Sequence, residues 1–130
     1  MIKIIIDATP IISALIGGVS REILFDPTYD FITTEFTINE VKKYLPYISK
    51  KSKIPLEKIE EALNILPLTI YDKEFYKDKT EKAEQLIKHK DKKDVDILAL
   101  SLKTSSPLWS EDTHFEGINE IELIKTKDFF

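Results

Sequence analysis

Ile2-Lys3-Ile4-Ile5-Ile6-Asp7-Ala8-Thr9-Pro10 is the stretch that decides the fold. Apolar β-branched residues run from Ile4 to Ile6 and stop at an aspartate. A run this short, β-branched and closed by a polar residue predicts a buried strand over Ile2–Ile6. Directly behind it, Thr9 fits an N-cap and Pro10 the first helical position, with Ile11, Ile12, Leu15 and Ile16 on one face. Gly17 and Gly18 stop that helix. The opening run meets Asp7 and Pro10 too soon to be an export signal or a membrane span, so the expected location is the cytoplasm, with no membrane association.

The same strand-then-helix alternation repeats outward from there. Ser20 caps a short helix carrying Ile23, Leu24 and Phe25, and Pro27 to Asp30 read as a turn. Tyr29–Thr33 gives a second strand. Thr37 and Glu40 match a capping box that opens a helix with Val41, Tyr44, Leu45 and Ile48. Ser52, with Pro55 shortly after, opens another with Ile59, Ala62, Leu63 and Leu66 inside, and Pro67 ends it. Leu68–Tyr71 is a third strand, followed by an amphipathic helix burying Ala83, Leu86 and Ile87. Asp91 to Asp94 lead into Val95, Ile97, Leu98, Ala99, Leu100 and Leu102, a helix apolar nearly all round and therefore deep against the sheet. Leu108–Ser110 and Ile121–Ile124 supply strands four and five. Alternating strands and helices predict an α/β fold, a parallel sheet of about five strands covered on both faces, in a single domain over residues 1–130.

Composition excludes several functions. The chain has no cysteine, which removes disulfides, thiolate metal sites and cysteine nucleophiles. A net charge of −4 argues against a general nucleic-acid coat, which needs a basic surface, but not against an acidic pocket neutralised by cations. Arg21 is the only arginine, so phosphate recognition by bidentate clamps is not expected. Lys42, Lys43, Lys50, Lys51 and Lys53 form one basic group and Lys88, Lys90, Lys92 and Lys93 another. Both read first as solvated helix faces.

In an open parallel sheet, ligands gather beyond the carboxyl ends of the strands. Asp7 stands right after the first strand and Asp112 just past the fourth. Glu40 lies in the first turn of the helix after strand two, and Asp94 opens the buried helix before strand four. Each of the last three also has a bland role: a capping-box acid for Glu40, a first-turn charge for Asp94 and likewise Asp91, a loop or cap acid for Asp112. Asp7 does not, because a carboxylate on the end of an apolar central strand is unfavourable unless something positive meets it. Crowded carboxylates repel, so the set makes sense around cations. Hard oxygen donors without cysteine or paired histidines select Mg²⁺ or Mn²⁺ over zinc. Phosphodiester hydrolysis is the chemistry that best uses such a site. His89 and His114 are isolated and read as surface residues, with nearness to Asp112 the one argument for a catalytic part for His114.

Three passages then resemble the PIN domain family, in particular its VapC-type toxin nucleases and stand-alone archaeal members. Ile4-Ile5-Ile6-Asp7-Ala8-Thr9 resembles the opening strand, its Asp and a following small polar residue. Asp94-Val95-Asp96-Ile97-Leu98-Ala99-Leu100-Ser101-Leu102 is similar to the Asp-led helix of alanine and leucine. Leu108-Trp109-Ser110-Glu111-Asp112-Thr113-His114-Phe115 looks like the strand ending in Thr or Ser, then Asp, then an aromatic. Glu40 falls where a second acid belongs. The resemblance implies a three-layer α/β/α fold with five parallel strands and a metal-dependent endoribonuclease acting on single-stranded RNA. It further implies Mg²⁺ or Mn²⁺ held by Asp7, Glu40, Asp94 and Asp112, hydroxyl support from Thr9 and Ser110, frequent dimerisation and, for a toxin, an antitoxin protein.

Asp91 and Asp96 compete with Asp94 for the third position, and Asp96 stands where the family is usually apolar or proline. Helical geometry sets Asp94 and Asp96 about 200° apart, so both cannot face one metal, and the buried direction of Ile97, Leu98 and Leu102 favours Asp94. Aromatic residues on charged segments, Phe36, Tyr44, Tyr47, Phe75, Tyr76, Phe129 and Phe130, supply the motive for a homodimer. Two other functions compete: a PIN-fold RNA-binding or assembly module without activity, against which the full set of four acids speaks, and a phosphoacceptor of response-regulator type. The latter wants an acid pair at the first strand, where only Asp7 stands.

Overall fold

A strand turns successive side chains to opposite faces, so Ile4 and Ile6 should face one core and Ile5 the other. In the computed structural model, which describes residues 1–87 and 91–130, they do. Strand β1 (Ile2–Ile6) is followed by helices α1 (Ala8–Leu15) and α2 (Ser20–Leu24), then β2 (Tyr29–Thr34). Helices α3 (Glu35–Ser52) and α4 (Leu56–Ile65) lead to β3 (Leu68–Tyr71). Helices α5 (Lys73–Tyr76), α6 (Thr80–Leu86) and α7 (Lys92–Thr104) lead to β4 (Leu108–Trp109), and β5 is Leu123–Ile124. All pairings are parallel, in the order β3-β2-β1-β4-β5. The expected three-layer α/β/α sheet of five strands is therefore what forms. The expectations for Lys88, His89 and Lys90 lie outside the described residues.

Each face of the sheet has its own apolar layer. Ile4, Ile6, Phe31 and Trp109 pack against residues of α1 to α4. Ile5, Ile32 and Leu108 pack against Tyr76, Ala83, Ile87 and the apolar side of α7. Helix α7 is buried without interruption from Asp94 to Ser101, as its nearly all-round apolar character demands. Two of its buried residues, Asp94 and Asp96, are carboxylates.

Helix starts differ from the sequence reading, and the differences matter for the site. Helix α1 begins directly after β1, so its N-cap is Asp7, and Thr9 and Pro10 are its second and third residues. Helix α3 is capped by Thr34, whose hydroxyl accepts from the Thr37 amide at 2.9 Å. Thr37 is therefore a first-turn residue, its hydroxyl 2.7 Å from that of Thr34, and the expected Thr37–Glu40 capping box does not form. Ser52 closes α3 instead of opening α4, whose N-cap is Pro55. Thr33 donates its hydroxyl to the Ile6 carbonyl at 2.8 Å, fixing the carboxyl end of β1 against β2.

Trp109 anchors the first of these layers. It is fully buried, its ring 5.6 Å from that of Phe31 and 4.6 Å from that of Phe129, and its Nε1 donates to Thr126 Oγ1 at 3.0 Å. Trp109→Ala should therefore lower folding stability by about 3–5 kcal/mol, while Trp109→Phe keeps most of it. Urea unfolding followed by circular dichroism reads the difference. An unchanged midpoint for the alanine variant would show that this side chain does not anchor its layer.

Candidate metal centre

The chain passes outward from β1 to β2 and β3, then returns to the other side of β1 for β4 and β5. Connections reverse at β1 and β4, and at such a reversal loops diverge and leave a crevice at the carboxyl ends of the strands. Asp7 and Ser110 are the first residues beyond those two strands. The Asp7 amide donates to the Trp109 carbonyl at 3.0 Å, which sets the two residues side by side.

The Asp7 carboxylate is held at both oxygens. Its Oδ1 accepts from the Ala8 amide at 2.8 Å, at the start of α1, where the helix dipole favours a negative charge. Its Oδ2 accepts from the Ser110 hydroxyl at 2.7 Å. That hydroxyl oxygen in turn accepts from the Asp112 amide at 3.0 Å, so one buried side chain sets the relation of Asp7 to the Asp112 loop. Thr9, expected as a cap and as a second hydroxyl support, lies exposed in the first turn of α1.

Asp112 links this arrangement to a second one. Its Oδ1 accepts from the His114 amide at 2.9 Å, capping a 3₁₀ turn over Thr113–Phe115. The His114 ring folds back so that Nδ1 lies 2.7 Å from Asp94 Oδ2 and 3.4 Å from Asp112 Oδ1. Donor atoms of Asp94, Asp112 and His114 all lie within 4.8 Å of one another. Sequence reasoning gave His114 no firm role. Its position two residues past an end-of-strand acid was the available signal, and only the 3₁₀ turn makes it count.

Burial disfavours negative charge in the crevice. Burial raises the Asp7 pKa above its ordinary 3.8, and the Asp112 charge adds to this, against the lowering effect of the Ser110 and Ala8 hydrogen bonds. Asp94 is raised for the same leading reason, burial, with Asp112 and Asp91 adding to it and the His114 contact opposing. His114 is raised chiefly by its hydrogen bond to Asp94. Oxygen and imidazole donors converging on carboxylates that resist ionisation fit a divalent cation, whose charge reverses the pKa logic of such a site.

The other acids separate. Glu40 is not drawn into this cluster: its Oε1 lies 3.1 Å from Lys43 Nζ and its Oε2 3.6 Å from Lys93 Nζ. Lys93 directly precedes Asp94, so Glu40 reaches the start of α7 through an ammonium group. Asp91 caps α7, accepting from the Lys93 amide at 3.0 Å, in keeping with its bland reading. Asp96 turns away from Asp94, as the helical angle requires, and accepts a short hydrogen bond from the buried Tyr76 hydroxyl, to which the Thr34 hydroxyl is also bonded. It lines a cavity of ≈ 490 Å³ with Phe36, Asn39, Lys73 and Lys92.

A family model described as PIN domain matches residues 5–127. Among solved structures, the chain is similar to the crystal structure of VapBC2 from Rickettsia felis bound to a DNA fragment from their promoter. The TM-score is 0.67 at 17% identity, with 95% of this chain and 98% of that chain covered. At that identity the likeness is one of fold. No curated protein sequence matches the chain.

A raised folded-state carboxyl pKa means that the native protein holds its proton more tightly than the unfolded chain does. The stability from Asp7 and Asp94 is thus full below the unfolded value and lost as pH rises through the raised folded values. Asp26 and Asp78 are lowered, chiefly by hydrogen bonds, and contribute with the opposite sign, so only a difference isolates the site. In EDTA, the melting temperature of wild type relative to Asp7→Asn should fall as pH rises above the ordinary carboxylate pKa of 3.8. A difference that is flat or rises would mean that the Asp7 charge is comfortable without a cation.

Proposed function

The chain belongs to the PIN domain family, and from that premise we propose that it is a metal-dependent endoribonuclease acting on single-stranded RNA, with Asp7, Glu40, Asp94 and Asp112 as its metal acids. PIN domains are generally nucleases. The observation that carries the reading is the convergence of Asp7, Asp112 and Asp94 around Ser110 and His114, at the sheet's topological reversal.

Held by these acids, Mg²⁺ or Mn²⁺ would lower the pKa of a water to make a nucleophile near neutral pH and would offset charge developing on the phosphodiester. The residues themselves do the positioning. Asp94 and Asp112 present carboxylate oxygens to one point, and Asp7 presents its carboxylate from the other side of Ser110. The Ser110 hydroxyl orients Asp7, the kind of outer support that fixes a ligand's angle. Glu40, now held by Lys43 and Lys93, would be the fourth acid to hold the ion.

The cavity next to this region suits a single strand. Phe36 offers a ring for a base, and Lys73 and Lys92 offer charges for the backbone, the combination by which unpaired nucleic acid is held. Its walls include Lys92 and Asp96, each two residues from Asp94 on α7, and Asn39, the neighbour of Glu40.

The partner readings belong to the same proposal. The solved complex named above contains two protein components by its name, and an antitoxin protein is the partner proposed for this chain. A homodimer draws on the exposed Tyr44, Tyr47, Phe75 and Phe130. It no longer draws on Tyr76, which is core, or on Phe129, which packs on Tyr29 and Trp109. Among the described residues no helix is long and apolar enough to cross a membrane.

Two outcomes follow. Mn²⁺ at roughly a hundredfold excess over its Kd should stabilise the fold by about 2.7 kcal/mol, since it binds only the native state. On a mixed single-stranded RNA, Asp7→Asn, Asp94→Asn and Asp112→Asn should each lose more than about a hundredfold in cleavage rate, and Ser110→Ala about 10–100-fold. Asp96→Asn and Asp91→Ala keep their activity, the latter losing about 1 kcal/mol of stability as a cap. Wild-type cleavage by the Asp7 or Asp112 variant refutes the role of that acid. An RNA that is bound but never cut, with any divalent cation, favours the inactive binding module instead.

A further inference from the structure

The imidazole of His114 occupies a position that simple surface solvation does not explain. Its Nδ1, not its outer nitrogen, is turned inward, 2.7 Å from Asp94 Oδ2 and 3.4 Å from Asp112 Oδ1. The backbone enforces this. The Asp112 carboxylate caps the 3₁₀ turn through the His114 amide, and buried Phe115 anchors the turn against α7. Asp94 meets the ring from the first turn of α7, so three donors arrive from two separate elements.

The two imidazole–carboxylate separations are close to those of neighbouring ligands around one small cation. With bonds of about 2.1 Å, neighbouring donors on a divalent ion sit about 3.0 Å apart, and opposite donors about 4.2 Å. The two imidazole–carboxylate separations bracket the first of these values, and 4.8 Å bounds the whole triad. Asp7 falls outside this triad by distance, its carboxylate standing beyond Ser110 and accepting from Ser110 and Ala8. Glu40 is paired with lysines.

We infer that His114 is itself a metal ligand, completing with Asp94 and Asp112 a two-carboxylate, one-imidazole centre that takes Mn²⁺ in preference to Mg²⁺. This rests on the proposed metal-dependent reading and adds to it both a ligand outside the four acids and a choice between the two ions. Mg²⁺ demands near-ideal octahedral geometry and gives up its waters reluctantly, whereas Mn²⁺ shares its taste for carboxylates but, as a first-row transition ion, more readily admits a nitrogen donor beside them. For ligation the ring turns its Nδ1 lone pair to the ion, which takes the place of the hydrogen bond to Asp94.

Pulsed electron paramagnetic resonance on the full chain loaded with Mn²⁺ tests this without any turnover, because a directly bound nitrogen couples to the electron spin. The chain has two histidines, so the source of a coupling can be assigned. Wild type and His89→Ala should show one bound nitrogen, and His114→Ala none. Calorimetric titration should show that His114→Ala loses about tenfold or more in Mn²⁺ affinity and less than about threefold in Mg²⁺ affinity. Mn²⁺ bound in an Asp94-dependent way with no nitrogen coupling in wild type overturns the role of His114 and leaves the carboxylate centre intact. Absence of any Asp94-dependent Mn²⁺ binding overturns both. Because the wild-type spectrum alone can deny the coupling, the inference stays exposed even if His114→Ala folds poorly.

Discussion

A carboxylate at the end of a buried strand must find positive charge or hydrogen bonds, and the surroundings of Asp7 are built by that demand. The Ile4–Ile6 run drives β1 into the middle of the sheet, and the next side chain arrives at the rim already partly shut off from water. Two donors meet it: the Ala8 amide, free because a helix begins there, and the Ser110 hydroxyl from the neighbouring strand. They favour ionisation, yet burial still outweighs them in raising the pKa. Hydrogen bonds position this acid while burial disfavours its charge, an effect that a bound cation would offset. Ser110 is the hinge of the arrangement, since the same oxygen sets the Asp112 loop.

Topology supplies what no local pattern could. Asp7 and Ser110 are 103 residues apart in sequence, and they touch because the chain lays down three strands on one side of the sheet before returning to place β4 against β1. The return passes through α7, so Asp94 is delivered to the same crevice by the connection that creates it. A buried carboxylate in the first turn of a buried helix is unfavourable for the fold alone. The neighbouring Asp96 shows the contrast, accepting a hydrogen bond from the buried Tyr76 hydroxyl.

Much of this was legible beforehand, and the reasons differ by residue. The strands were legible because runs such as Ile4–Ile6 and Leu68–Tyr71 are short, β-branched and bounded by breakers. The separation of Asp94 from Asp96 followed from the turn of a helix. The cap assignments failed for one shared reason. Thr9 stands two residues past the true cap and Thr37 three, because the helices begin immediately after β1 and β2, so Asp7 and Thr34 take the caps. That error concealed a useful fact, because Glu40, freed from a capping box, has no backbone duty. Tyr76 was misjudged as an interface aromatic because its short helix is charged, while the side chain reaches inward to Asp96. His114 was undervalued because its partner Asp94 lies 20 residues away, and proximity to Asp112 alone says nothing about which way a ring turns.

The central claim is that acids gathered at the β1–β4 reversal hold a divalent cation. Anomalous diffraction from crystals soaked in Mn²⁺ tests it most directly. The account predicts a peak in contact with the Asp94 and Asp112 carboxylates, on the Asp7 side of the sheet edge, and its loss in Asp112→Asn crystals. Saturating Mn²⁺ that leaves this crevice without a peak, or places its strongest peak away from these carboxylates, would contradict it.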